Sequence, residues 1–330
     1  MIKIFSLFSG IGAFETALEN LSIHHQIVGY SEIDPNASKA YSLLHHVPES
    51  MNLGDITKLD VCSLPSADLI TYGFPCQDIS SAGLKKGMFD ESGQKTRSGL
   101  FFDALRVIKH IKPKVAIAEN VKNLTSASMK DTFDLVLHSL SNAGYNNYYT
   151  VLNAADYGIP QHRERVFIIS IRKDVDSKNF AFPPASPMTS HMIDYLDHDV
   201  PELYFLPEWK TKNAVIFDGS TDRKNAIVQC GDLKHYTNDQ MNRIYSPFGL
   251  SPTLKTVSGG GREIKIYDNF KIRHVTQYEY MRLMGFSETT CQILKTNKFS
   301  KTAIYKMAGN SIVVNVLEHL FVKLFEVVEF

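Results

Sequence analysis

The chain has 330 residues, 44% of them hydrophobic, enough for one large domain with a buried core and a smaller one beside it. Its 35 basic and 35 acidic residues cancel, which argues against a non-specific nucleic-acid coat protein but not against an enzyme whose charge is placed locally. No run of eighteen apolar residues occurs, and the opening MIKIFSLFSGIG lacks a charged-then-apolar leader, so no membrane span and a cytoplasmic location are expected.

In chain order, the first expected element is a short buried strand from Ile2 through Phe8. Gly10 and Gly12 follow, and then Phe14, Ala17, Leu18 and Leu21 repeat at helical spacing. A second strand, Ile27 to Tyr30, leads to Glu32. Further apolar strands end at Thr71-Tyr72, at Ile117-Ala118 and, after Arg165, in VFIISI. A helix carrying Phe133, Val136, Leu137 and Leu140 closes at Gly144. Strand–helix alternation with short connections predicts a largely parallel sheet covered by helices on both faces. The prolines of Phe182-Pro183-Pro184-Ala185-Ser186-Pro187 mark a boundary. From Thr189 to His274 the alternation gives way to short β-like runs broken by Gly, Asp, Asn and Pro, with Ser258-Gly259-Gly260-Gly261 the most flexible point. Tyr278 to Phe286 reads as helix, and a last helix begins near Ser311 with Val313, Val316, Leu317, Leu320 and Leu324 on one face. The expected domains are therefore 1–188, 189–274, and 275–330 as a hinge and helix returning to the first.

Phe8-Ser9-Gly10-Ile11-Gly12 sits between a strand and a helix, where glycines permit a tight turn and close approach of a ligand to a helix N-terminus. Glu32 lies twenty residues past Gly12 at a strand end, placed to accept from ribose hydroxyls. The third glycine of a dinucleotide signature is missing. Its position holds Glu15, whose carboxylate opposes a pyrophosphate and suits a cationic, phosphate-free adenosyl ligand, S-adenosylmethionine rather than NAD. The four cysteines, Cys62, Cys76, Cys230 and Cys291, form no CxxC pair, so no metal site is expected. Cys62, Cys230 and Cys291 read as small packed hydrophobes.

GFPCQDIS (Gly73 to Ser80), ENV (Glu119 to Val121), QHRER (Gln161 to Arg165) and GNSIVVNVL (Gly309 to Leu317) follow FSGIG in order. Together with TRSGLFF (Thr96 to Phe102) and RLMGF (Arg282 to Phe286), they resemble the ordered motifs of the DNA cytosine-5 methyltransferases. The resemblance covers nearly the whole chain except about Thr189 to Ser246. It implies an α/β class I S-adenosylmethionine-dependent methyltransferase fold, Rossmann-like and mostly parallel, with an inserted small, β-rich target-recognition domain. It further implies a monomer acting on double-stranded DNA in a bacterial restriction–modification or phage setting, with a cognate restriction endonuclease as a functional partner.

The chemistry accounts for the residue types. Carbon 5 of cytosine is a poor nucleophile until a thiolate adds to carbon 6. Cys76 is suited to that role, since cysteine is nucleophilic and leaves readily. Pro75 restricts the loop before it. Glu119, read as the end of the strand VAIAE, is placed to hydrogen-bond ring nitrogen 3 as a general acid. Arg163 and Arg165 alternate on an expected strand, so one face carries both. By resemblance, Arg165 contacts the base carbonyl oxygen, Arg163 helps hold the site, and Asn120 holds the catalytic loop. His162 departs from the arginine or asparagine commoner there.

The resemblance also implies that Asp55 meets the adenine amino group, that Asn310 and Ser311 lie beside the methionine end, and that Phe8, Ile11, Ile56, Phe74, Pro75 and Leu100 line the cofactor. Ile33 stands where many relatives carry an aromatic that stacks on adenine. A duplex hides the target carbons, so the base must be flipped out, and Ser80 to Gly87 is the expected closing loop. Gln77, Ser80, Arg97, Arg243 and Arg262 are expected to meet DNA.

Between Tyr204 and His274 there are eleven Lys/Arg against seven Asp/Glu. That segment also holds side chains that read groove edges: Arg223, Lys224, Asn225, Gln229, Lys234, Asn238, Gln240, Asn242 and Arg243. A tRNA cytosine methyltransferase and a non-enzymatic DNA-binding homologue are the alternatives. The latter predicts loss of Cys76 or Glu119, and both are present.

Overall fold

The computed structural model describes residues 1–75, 97–217, 225–257 and 261–330, without the side chains of Arg97 and Ser98. The described chain forms two compact units. The first comprises Met1–Leu152, Glu164–Pro184 and Leu317–Phe330, and the second Asn153–Arg163 and Ala185–Val316. This division differs from the 1–188, 189–274 and 275–330 scheme. The connection before Arg163 and the helices after His274 group with the second unit.

The first unit is built on β1 (Ile2–Leu7), α1 (Ala13–Asn20), β2 (His25–Ser31), α2 (Pro35–Leu44), β3 (Leu69–Tyr72), α3 (Phe101–Ile111), β4 (Val115–Val121), α4 (Lys130–Asn142), β5 (Tyr145–Asn153) and β6 (Glu164–Arg172). The sheet order is β2-β1-β3-β4-β6-β5. β1 pairs in parallel with β2 and β3, and β3 with β4, because α1, α2 and α3 carry the chain back between them. β6 runs antiparallel to β4, so the sheet is mostly but not wholly parallel.

Ile4, Phe5, Ile70 and Ala116 are completely buried, as central strands covered on both faces require. α3 turns Phe101, Ala104, Val107 and Ile108 into this core, and α4 adds Phe133, Val136 and Leu140. Each large apolar side chain so buried contributes about 1.5–3 kcal/mol. α2 is capped by Asp34, which accepts from Asn36 N and Ala37 N, with Pro35 at its first position. On the part of the chain after Leu317, Phe321 packs edge-on against Phe14, and Glu318 accepts from Asn20 at 2.6 Å.

Two expectations are corrected. Glu119 does not end its strand. β4 continues to Val121 because β6 pairs with it as far as Arg165, so Glu119 faces Phe167 across the ladder. Arg163 and Arg165 do not alternate on a strand, since β6 begins at Glu164 and the backbone N–H of Arg163 donates instead to Asn153 Oδ1.

The second unit contains α5 (Glu208–Thr211), β7 (Val215–Ile216), β8 (Gln229–Asp232), α6 (Asp239–Asn242), β9 (Arg243–Tyr245), β10 (Lys265–Asp268) and β11 (Lys271–His274). These strands form a sheet in the order β11-β10-β9-β8-β7, over Cys230, Leu233, Ile244 and Ile272. The helices α7 (Gln277–Arg282), α8 (Glu288–Thr296) and α9 (Lys301–Asn310) follow, and α10 (Val314–Phe325) begins three residues later than Ser311. α7 opens with a capping box between Thr276 and Glu279. The same fully buried Glu279 pairs with Arg273, whose guanidinium also meets Asp268 at 2.6 Å. Removing one partner of such a buried pair costs about 3–5 kcal/mol.

Lys265 is buried and donates to the carbonyls of Gly261 and Glu263, and burial draws its pKa down to about 8. Burial, with the nearby charges of Lys265, Lys301 and Lys210, pushes His274 down to about 3. None of the described helices is long and apolar enough to cross a membrane.

Candidate active site

The loop from β1 to α1 turns sharply. Phe8, Gly10 and Gly12 have φ of +52°, +57° and +79°, and Gly12 N donates to Ser9 O at 3.0 Å. Gly10 N donates to Glu32 Oε2 at 2.9 Å, and Asp34 N to Glu32 Oε1 at 2.8 Å. Asn52 secures the backbone of Glu32, accepting its N–H and donating to its carbonyl. The Glu32 carboxylate is thus fixed at the tip of β2, with lone pairs left for hydroxyl donors. Ile33 beside it is 76% exposed.

Ile11 is buried under the loop. Glu15 turns inward, its Oε1 accepting from the hydroxyls of Ser6 and Tyr41, while its Oε2 has no hydrogen-bond partner among the described residues. A buried carboxylate in the first turn of α1 offsets the field that attracts a phosphate there. Asp55 caps its own turn, accepting from the N–H and hydroxyl of Thr57, and these bonds hold its carboxyl below the usual range. Ile56 next to it is buried.

After β3 the chain passes through Gly73, Phe74 and Pro75. The Phe74 ring is buried between Tyr72 and Phe101. Asn120 donates from Nδ2 to Phe74 O at 3.1 Å. Arg165 Nε lies 2.9 Å from Glu119 Oε1, with both side chains largely shielded. A Cβ on Gly73 would stand 3.6 Å from Glu119 Oε2, so this carboxylate lies against the backbone leading to Cys76. Cys76, Gln77, Ser80, the rest of the Ser80 to Gly87 loop and the side chain of Arg97 lie outside the described residues. Leu100 is half-buried at the start of α3.

In the second unit, Arg163 is buried and donates to the carbonyls of Leu254, Gly309 and Ser311 at 2.9, 3.0 and 2.7 Å. Its environment is distinct from that of Arg165. Asn310 ends α9 and Ser311 is its C-cap. A Cβ at Gly309 would meet the Lys255 backbone at 2.5 Å, which explains the glycine. Gln161 is wholly buried, donating to Leu283 O and accepting from Leu254 N, whereas His162 is exposed.

Arg243 and Arg262 are exposed. Asn242, a candidate base reader, is buried instead, and its amide closes the turn from His235 and Tyr236. Arg223, Lys224, Gly259 and Gly260 lie outside the described residues. No group of three His, Cys, Asp or Glu able to hold a metal occurs among the described residues.

Comparison with known proteins decides the family. The model of the C-5 cytosine-specific DNA methylases matches residues 2–326. The chain belongs to this family. The methyltransferase is 31% identical to the orphan methyltransferase M.SPBetaI of Bacillus phage SPbeta, over 98% of this chain and 97% of that protein. It is 32% identical to the type II methyltransferase M.HhaI of Haemophilus parahaemolyticus, over 97% and 93%. Among solved structures it resembles the S. pombe Dnmt2 methyltransferase at 22% identity, with a TM-score of 0.70 over 99% of both chains. It also resembles the Entamoeba histolytica methyltransferase EhMeth at 19% identity, with a TM-score of 0.73. The α/β fold of the methyltransferase is the one these proteins share, and it is a DNA cytosine-5 methyltransferase.

Glu119, Asn120, Arg165, Glu32 and the glycine loop were legible as motif residues. Asn52 was not, because it holds Glu32 through a tertiary contact with no local pattern.

Proposed function

We propose that this methyltransferase acts through covalent addition of Cys76 to carbon 6 of a cytosine flipped out of duplex DNA, with S-adenosylmethionine as methyl donor. The observation that carries this reading is the Glu119–Arg165 pair beside Gly73, with Asn120 gripping Phe74 O. These contacts set a carboxylate and a guanidinium against the backbone that runs into the motif cysteine.

The residues of the glycine loop fit the cofactor. Glu32 is fixed to accept ribose hydroxyls, Ile33 offers an apolar surface, and Glu15 disfavours phosphate. S-adenosylmethionine, when bound, supplies an electrophilic methyl group. The Cys76 thiolate forms a bond to carbon 6, and the ring electrons move toward carbon 5 and nitrogen 3. Glu119, as a carboxylic acid, donates to nitrogen 3 as that charge develops, and Arg165 donates to the adjacent carbonyl oxygen. After methyl transfer, loss of the carbon 5 proton returns the electron pair to the ring and expels the thiolate. Asn120 and Pro75 keep the nucleophile's loop in place throughout.

Asn310 and Ser311 are assigned to the methionine end, Asp55, Ile56, Phe8, Ile11, Phe74, Pro75 and Leu100 to the remainder of the cofactor, and Gln77, Ser80, Arg97, Arg243 and Arg262 to DNA. Target choice is assigned to 189–274, and the basic excess within Tyr204 to His274 and the exposed Arg243 and Arg262 support it. The phage and type II relatives support work in the cytoplasm of a bacterial or phage-infected cell, and the type II relative supports a role in shielding DNA from an endonuclease; a monomer is the proposed working form.

DNA with 5-fluorocytosine at the target tests the mechanism, since the carbon 5 fluorine cannot leave as a proton. A complex surviving denaturing electrophoresis is expected with the cofactor present. A band that persists in Cys76→Ala would refute Cys76 as nucleophile.

A further inference from the structure

The imidazole of His45, at the end of α2, lies beneath the loop from β1 to α1. Its Nε2 is 3.0 Å from the carbonyl oxygen of Ile11, its Nδ1 is 2.8 Å from Glu19 Oε1, and its side chain is 1% exposed. A backbone carbonyl only accepts hydrogen bonds, and a carboxylate does the same. A neutral imidazole has one N–H and can serve one of these partners, whereas an imidazolium serves both. The two contacts together therefore select the charged ring.

The titratable groups facing His45 agree with this. Glu15 and Glu19 approach from α1, and the Tyr41 ring of α2 lies 4.7 Å away, kept neutral by burial and by Glu15. Burial opposes a charge on His45, but the Glu19 hydrogen bond, the field of Glu15 and the Ile11 carbonyl outweigh it and raise its pKa. The C-terminal end of α2 adds a favourable dipole. Gly12 completes the seat, since a Cβ there would stand 2.0 Å from Nε2. The ring thus occupies the space that a side chain in the loop would take.

We propose that His45 is a positioning residue for the cofactor loop: as imidazolium it clamps the Ile11 carbonyl and fixes the Phe8–Gly12 turn, and its deprotonation releases that clamp and weakens S-adenosylmethionine binding. The inference rests on the reading that this loop holds S-adenosylmethionine. Glu19, which reaches solvent, is the second half of the device, because it holds the Nδ1 proton.

Calorimetric titration of the full chain with S-adenosylmethionine from about pH 6 to 9, with NMR of the His45 ring nitrogens, tests it. The wild type should lose about tenfold in affinity as His45 deprotonates, the effect of one hydrogen bond. His45→Gln should bind with the weaker, alkaline affinity at every pH. Glu19→Gln, a change at an exposed position, should keep the fold and move the wild-type midpoint to lower pH. Wild-type affinity that does not vary with pH, a His45→Gln profile that follows the wild type, or neutral-ring NMR signals at about pH 6 would each overturn the inference alone. No binding by the wild type at any pH would overturn the cofactor reading of the loop and the inference with it.

Discussion

Asn120 holds Phe74 from the neighbouring strand: its Nδ2 donates to the Phe74 carbonyl at 3.1 Å, while its Oδ1 accepts from Val121 N at 2.8 Å. Both halves of one buried amide are used, one on its own strand and one on the turn after β3.

Asn120→Ala should therefore act on the turn and leave the cofactor pocket intact. The two lost hydrogen bonds cost about 0.5–1.5 kcal/mol of stability each, and a displaced nucleophile loop costs on the order of 100-fold in the chemical step. Single-turnover methylation, with S-adenosylmethionine affinity as control, checks this. A rate within threefold of wild type would show that the turn holds its own position.

Glu119→Gln retains the shape of the side chain but replaces one carboxylate oxygen with a donor NH₂ facing Arg165 Nε, or turns that NH₂ toward the base. The chemical rate should fall by about 100-fold or more, the range typical of lost general acid help. Cofactor affinity should change little. Rapid-quench measurement of the first turnover is the appropriate readout, because product release cannot mask it.

Glu32 and Ile33 predict opposite changes at adjacent positions. Glu32→Ala removes an acceptor for ribose hydroxyls and also frees Gly10 N and Asp34 N, so S-adenosylmethionine binding should weaken by about 1.5–3 kcal/mol. Ile33→Trp places an aromatic face where an exposed aliphatic now stands and should tighten binding by about 0.5–1.5 kcal/mol. Calorimetry on both variants separates the two. Unchanged affinity in Glu32→Ala would remove Glu32 from the cofactor site.

His274 predicts how stability responds to acid. Folding depresses its pKa from 6.5 to about 3, chiefly by burial. Between these values the folded state binds fewer protons than the unfolded chain, so the His274 contribution is intact above about pH 6.5 and is lost as pH falls. At about pH 5 the loss is roughly 2 kcal/mol. His45, with a raised pKa, works in the opposite sense, being intact below its unfolded pKa and lost as pH rises through the folded one. Comparing wild type with His274→Asn in urea at about pH 7 and pH 5 isolates His274. Equal slopes in the two proteins would refute the assignment.

The elements legible in the sequence are those whose environment is simple. β1 and β3 are covered on both faces along most of their length, so they appear as short, mainly apolar runs, and α4 has a clean stripe of Phe133, Val136 and Leu140 closed by Gly144. α8 and α9 went unread for contrasting reasons. α8 buries only Thr290, Cys291 and Leu294, too few for a stripe, whereas α9 carries Ala303, Ile304, Tyr305, Met307 and Ala308 as a near-continuous run ending in Gly309.

The extent of β4 and the start of β6 were misplaced because a ladder between residues far apart in sequence sets both. At the site, Glu32 and Glu119 stand out as carboxylates at the ends of apolar runs. Asn242 looked like a base reader because its composition is polar, and only the fold shows that its amide is spent on the backbone of Tyr236.

The first unit draws on both extremes of the chain. Phe14 is covered by Phe321, and Asn20 donates to Glu318, 298 residues later. At synthesis rates of 5–20 residues per second, a ribosome needs roughly 15–60 s to travel between those two residues. Throughout that interval α1, and with it the glycine loop it follows, lacks its apolar cover. The first unit can therefore be completed only after the segment between Asn20 and Glu318 has been translated, and a chain cut short just before Glu318 would carry every motif up to Leu317 and lack the contacts of Phe321 with Phe14 and of Glu318 with Asn20.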